Sequence, residues 1–113
     1  MTVIYHMASG ADWAVAERAG VYRGSADDAR DGFIHFSTAA QVKASAAKHR
    51  AGQAGLKLLS VEAAKLGPAL KWEPARGGDL FPHLYGALPV SAVARVADLP
   101  LGPDGLHVFP DLA

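Results

Sequence analysis

The sequence predicts an α+β domain in which five or six short strands accompany two main helices. Two observations carry that prediction. Short runs of β-branched, aromatic and leucine residues recur along the chain, bounded by glycine, proline or polar clusters, as strands are. Two longer stretches place apolar residues at helical spacing, each with a helix-start signal before it and a glycine after it. The strand–helix–strand succession leaves parallel pairing open. At 113 residues, 50% apolar and 19% charged, the chain can bury one modest core; residues 1–113 read as a single domain with 105–113 as a tail.

Residues 2–7 read as a strand, with Ile4 and His6 on one face and Val3 and Tyr5 on the other. Ser9 offers an N-cap with Asp12 at the third position. The helix it opens runs to about Ala19, burying Trp13, Ala16 and either Ala19 or Val15, and Gly20 ends it in the left-handed conformation. Val21-Tyr22-Arg23 is a brief extended segment, and residues 24–31 form a polar loop rich in acids. Gly32-Phe33-Ile34-His35-Phe36-Ser37-Thr38 then reads as one short strand, with Phe33, His35 and Ser37 on one side and Ile34 and Phe36 on the other.

Thr38 starts the second helix, over about 39–50, with Gln41 in the capping-box position and Val42, Ala46 and His49 at helical spacing. Lys48, His49 and Arg50 complement the dipole in its last turn, and Gly52 ends it. Leu56, Leu58, Leu59 and Val61 give residues 56–62 the pattern of a central strand buried on both faces. One helical turn over 62–66 stops at Gly67-Pro68. Residues 70–73 alternate as a strand, Trp72 inward and Glu73 towards solvent, and 74–79 is a surface loop. Pro82 cannot donate to a ladder, so 80–86 is an edge strand or an ordered loop. Pro89 opens a short turn, 92–99 is a final strand, and Pro103-Asp104-Gly105 turns into the tail.

Lys plus Arg equals Asp plus Glu at 11 each, and a net charge of zero argues against bulk capture of nucleic acid or of an anionic membrane. The absence of cysteine excludes disulfides, thiolate metal sites and a cysteine nucleophile, and suits a reducing compartment. The chain opens with no basic, apolar leader, and no window approaches a membrane span, so a cytoplasmic protein is expected. Its oligomeric state stays open.

Five histidines are the candidates for chemistry. His49, in a last helical turn, and His107, in the tail, read as surface or capping residues. His6, His35 and His83 each lie in an aromatic or apolar segment, beside Tyr5, Ser37 and Tyr85. One such histidine reads most simply as a core-edge residue satisfied by backbone groups; three together favour a shared pocket. None of the three sits at the short separations of metal ligands, so no metal is expected. Ser37 and His35 are neighbours on one strand with nothing like a nucleophile elbow, and Ser37 or Thr38 serves as a helix cap. Trp13 and Trp72 read as core. Arg76, beside Gly77 and Gly78, is either a solvated loop residue or a phosphate clamp.

The segments Ile4-Tyr5-His6, Gly32 to Thr38 and Leu80-Phe81-Pro82-His83-Leu84-Tyr85-Gly86, with Trp72-Glu73 and the Pro103-Asp104-Gly105 turn, resemble the bacterial DUF952 family of small proteins, from about Val3 to Gly105. That family is in turn distantly similar to the ADP-ribosyltransferase fold, including its tRNA 2′-phosphotransferase branch. The resemblance implies a small split antiparallel β core whose two sheets border a cleft for NAD or ADP-ribose. It implies that His6 contacts a ribose, that His35 with Ser37 lines a nicotinamide pocket, and that the segment from Phe81 to Tyr85 takes the place of the third motif. That segment holds His83 where transferases of this fold carry a glutamate. The expected function is an enzyme of ADP-ribosyl- or phosphotransferase type acting on NAD, ADP-ribose or a phosphorylated nucleotide. His35 and His83 would move protons, and His6, Ser37, Thr38, Tyr85 and Arg76 would bind the ligand. The alternative is a non-catalytic nucleotide-binding or interaction module that keeps the cleft without the chemistry.

Overall fold

The computed structural model describes residues 1–75 and 77–112. Strand β1 (Val3–Ser9) lies inside a four-stranded sheet between β4 (Ser37–Thr38) and β5 (Leu56–Glu62), with β9 (Val93–Leu99) beyond β5. A two-stranded ribbon pairs β2 (Val21–Tyr22) with β8 (Leu88–Pro89). A third sheet runs in the order β3 (Ile34–His35), β7 (Leu80–Leu84), β6 (Leu70–Pro74). The β structure is thus divided among three sheets rather than two, and every pairing between these strands is antiparallel. Parallel neighbours do not arise because no helix joins two adjacent strands. Helix α1 (Gly10–Ala19) leads from β1 into the ribbon, and α3 (Val42–His49) passes over β1 to link β4 with β5.

The four-stranded sheet is apolar on both faces, as the composition of residues 56–62 requires. Ile4, Ala8, Leu59 and Val61 meet Trp13, Ala16, Tyr22, Ile34, Phe36, Leu84 and Leu88 on one side. Tyr5, Leu56, Leu58 and Leu99 meet Val42 on the other, where Phe109 and Leu112 of the tail also pack. Helix α1 begins and ends where its sequence directs. The Asp12 N–H donates to Ser9 Oγ at 3.0 Å, and Gly20 at φ 82 donates to Ala16 O. Its buried face is narrow, Trp13 and Ala16 alone; Val15 is 57% exposed and Ala19 is exposed as well.

Five expectations are corrected. The acidic stretch 24–31 holds a third helix, α2 (Ala26–Asp31), opened by a complete capping box between Ser25 and Asp28. It carries no apolar stripe, so hydrophobic periodicity could not reveal it. Residues 32–38 do not form one strand. Residues 34–35 pair with β7 and residues 37–38 with β1, and the chain changes sheets at Phe36. The helix expected from Ala39 starts at Val42. Thr38 lies in β4 and its side chain does not cap α3; instead its N–H donates to Gln41 Oε1 at 3.0 Å, the glutamine half of a capping box. Pro82 sits in the middle strand of its sheet, not at an edge. Phe36 N–H donates to Pro82 O at 3.0 Å on the side where β3 has just ended, so the missing proline donor faces a place where the ladder stops. Trp72, expected in the core, is 41% exposed on the outer strand β6.

The turn expected over 62–66 extends as 3-10 helix over Ala63–Ala69, broken at Gly67. Between β6 and β7, Ala75 N–H donates to Asp79 O at 2.9 Å. None of the helices among the described residues is long and apolar enough to cross a membrane.

Candidate functional site

Antiparallel register decides which side chains share a face. His35 lies opposite His83 on β3 and β7, and Lys71 opposite His83 and Glu73 opposite Phe81 on β6 and β7. Cross-strand partners point to the same side, so both imidazoles and Glu73 leave the three-stranded sheet together. On that side Tyr5, His6, Phe36, Ser37, Ser45, His49 and Arg50 join Asp28, Asp31, His35, Phe81 and His83 around a cleft of about 290 Å³. Histidines from β1, β3 and β7 therefore reach one space.

His6 is buried with both ring nitrogens engaged. Its Nδ1 lies 2.6 Å from the His35 carbonyl and its Nε2 2.7 Å from the Tyr22 hydroxyl. A carbonyl only accepts, which assigns the proton to Nδ1 and leaves Nε2 to accept from the Tyr22 O–H. Burial lowers the His6 pKa, outweighing the attraction of Asp28, and keeps the ring neutral. Burial and the neighbouring Asp28 charge both push the Tyr22 phenol up, so it stays a donor.

Asp28, absent from the sequence-based candidates, organises the opposite side. It is 3% exposed. Its Oδ2 accepts the Ser25 N–H at 2.7 Å, and its Oδ1 accepts the His35 N–H at 3.1 Å and the His35 Nδ1–H at 2.5 Å. Burial by itself would raise this carboxyl, but the hydrogen bonds from the His35 imidazole and two backbone amides outweigh it and hold the pKa at about 2. Gly24 makes the approach feasible: at φ +92, a Cβ there would sit 2.7 Å from Asp28 Oδ2.

The hydrogen bond to Asp28 raises the His35 pKa against the cost of burial, and Asp31 adds to it, with Oδ2 3.0 Å from Nε2. Both His35 nitrogens thus face carboxylates, Nδ1 in a hydrogen bond to Asp28 and Nε2 within ion-pair distance of Asp31. The ring clamps α2 to β3, and neither of its nitrogens is left free for a ligand.

His83 differs. It is 7% exposed, stacks on Phe33 at 4.0 Å, and donates Nδ1–H to Glu73 Oε1 at 2.9 Å. The same oxygen accepts the Tyr85 hydroxyl at 2.7 Å. Those two donors, Tyr85 first, lower the Glu73 pKa, and Glu73 in turn raises that of Tyr85. Glu73, read from alternation as a solvent-facing residue, keeps a solvent-accessible side chain and is also the carboxylate that orients His83. With Nδ1 committed, Nε2 is the nitrogen of His83 left for a ligand.

The remaining candidates distribute unevenly. Ser37 is buried in the cleft wall and donates to Ser45 Oγ at 3.2 Å. Thr38 is not among the lining residues, and Tyr85 acts on the site through Glu73. Arg76 lies outside the described residues. His49, read as a surface residue, is exposed but lines the cleft beside Arg50. A signal for Asp28 did exist, in the spacing of Ser25 and Asp28 as a capping box. For Glu73 none did, because its role depends on the register of β6 against β7.

The sequence matches the family described as a protein of unknown function, DUF952, over residues 7–96. Among solved structures it is similar to the X-ray crystal structure of protein CC0527 from Caulobacter crescentus, with a TM-score of 0.91 and 52% identity over 95% of this chain and 94% of that one. A double mutant of the same protein superposes with a TM-score of 0.91 at 51% identity, covering 95% and 94% of the two chains. Its solution NMR structure gives 0.84 at 54% identity, covering 94% and 91%. No curated protein matches.

Proposed function

The chain belongs to the DUF952 family, and from that footing we propose that its cleft binds a nucleotide of the NAD or ADP-ribose class and that His83 is its proton-transfer residue. One observation carries the reading: His6, His35, Ser37 and His83, from four different strands, line a single cleft. The cleft volume of about 290 Å³ lies just below the range for small-molecule sites, about 300–1,000 Å³. It suits one enclosed nucleotide unit, with the remainder of a dinucleotide lying at the mouth.

The likeness to the ADP-ribosyltransferase fold is part of this proposal. In that fold the third motif brings a glutamate to the substrate. Here Glu73, on the strand beside the 81–85 segment, supplies a carboxylate through His83 instead. A ribose hydroxyl placed at His83 Nε2 would hand its proton to the ring, and Glu73 would stabilise the imidazolium that forms. His6 and His35, with every ring nitrogen occupied, act as positioning residues. Those occupied nitrogens favour a second reading, in which the cleft binds a nucleotide without turning it over.

Calorimetry with NAD, ADP-ribose and 2′-phosphorylated RNA at millimolar ligand tests the proposal, with mass spectrometry of the products. Saturable binding with a product that disappears in His83→Ala supports the enzymatic reading. Binding with no product supports the second reading. Binding of none of the three ligands ends both.

A further inference from the structure

Helix α3 contributes the side of the cleft that the histidine network leaves unused. Val42 and Ala46 are its buried face; Ser45 and His49, one turn apart, share the adjacent face, and both line the cleft together with Arg50. The charges around the cleft separate sharply. Asp27 pairs with Arg30 at 3.0 Å, Asp31 with His35 at 3.0 Å, and Asp28 with His35. Arg30 and His35 between them therefore face all three lining acids. Arg50 has no acid: among the described residues it makes no ion pair, and its guanidinium reaches only Gln53 Oε1, at 3.3 Å. Burial governs the ionisation of His6 and Tyr22, but the Arg50 charge is also felt by both at the base of the cleft.

We propose that Ser45, His49 and Arg50 form the phosphate subsite of the cleft, so that its ligand carries a phosphoryl group against α3. A planar guanidinium at the C-cap of α3, with an imidazole and a serine hydroxyl one turn apart on the helix itself, matches the oxygens of a phosphate or diphosphate. This rests on the nucleotide reading above and deepens it: the ligand is a phosphorylated nucleotide, not a nucleoside, and the cation that recognises it is Arg50. The ribose end then lies towards His83, across the cleft.

The test compares ADP-ribose, adenosine and inorganic pyrophosphate on the wild type, Arg50→Gln and His49→Gln. His49 is exposed, so its variant tests the subsite without a folding question. The wild type should bind ADP-ribose well above adenosine. Arg50→Gln should weaken ADP-ribose roughly ten- to a hundredfold, the worth of a hydrogen bond to a charged group, while leaving adenosine unchanged. His49→Gln should weaken it less, and pyrophosphate should shift the NMR signals of the His49 ring and the Arg50 side chain. ADP-ribose bound equally by wild type and Arg50→Gln overturns the subsite and leaves the nucleotide reading standing. Pyrophosphate bound at Arg50 with no nucleotide bound upholds the subsite and overturns the nucleotide reading. Binding of none of the probes overturns both.

Discussion

Replacing Asp28 with asparagine keeps the shape of the side chain and removes its charge. The carboxylate accepts from donors on both sides, Ser25 N–H at Oδ2 and His35 N–H and Nδ1–H at Oδ1. An amide NH₂ must face one set or the other, leaving a buried donor against a donor. The charge itself can be weighed by linkage. The carboxyl falls from 3.8 to about 2 on folding, and at about 1.4 kcal/mol per pH unit this is worth about 2 kcal/mol of native stability. The donor left unpaired adds about 1–3 kcal/mol. Together they give about 4 kcal/mol, within the range for breaking a buried ion pair.

For a chain of this length that lowers the melting temperature by about 15 °C. The sign with pH follows from the same values. A depressed carboxyl contributes stability above its unfolded pKa of 3.8, and that stability is lost as pH falls through about 2. His35, whose pKa is raised, contributes fully below 6.5 and loses its contribution as pH rises through its folded value. Urea denaturation from pH 2 to pH 8 reads both limbs. Asp28→Asn should abolish the acid limb from this carboxyl and weaken the alkaline one, which Asp31 still supports in part. A variant within about 1 kcal/mol of wild type at pH 6, or one with an unchanged acid limb, would refute the reasoning.

Two further outcomes are expected. The His6 ring should appear in ¹⁵N NMR as the neutral Nδ1–H tautomer and stay neutral at pH values where an exposed histidine is protonated, because its charge would be buried; titration near 6.5 would show that the network with Tyr22 does not hold it. The two tryptophans should separate in chemical denaturation. Trp13→Ala removes a residue 4% exposed and should cost about 3–5 kcal/mol, whereas Trp72→Ala, at 41% exposure, should cost about 1 kcal/mol. Equal losses would mean that β6 is packed differently.

What could be read from the residues in order was what neighbouring residues decide among themselves. Ser9 with Asp12, and Gly20, bound α1 through hydrogen bonds that span only a few residues, and the leucine-rich run 56–62 announces a strand covered on both faces. The unusual placement of His6, His35 and His83 among apolar residues was visible too, and so was the expectation that they share a space. Helix α2 was legible in principle from Ser25 and Asp28, but a helix without an apolar stripe is silent to periodicity.

The tertiary structure decided the chemistry of each ring, because a histidine's role is set by what its nitrogens touch. His6 is held by Tyr22 and by the carbonyl of His35, 16 and 29 residues away. His83 is held by Glu73, 10 residues away across a hairpin. One residue of slip between β6 and β7 would send Glu73 to the opposite face of the sheet and leave His83 without its acid. Register is fixed by packing across the whole sheet and not by any local run of residues. The residue types were therefore on the page from the start, and the division of labour among them was settled only when the strands met.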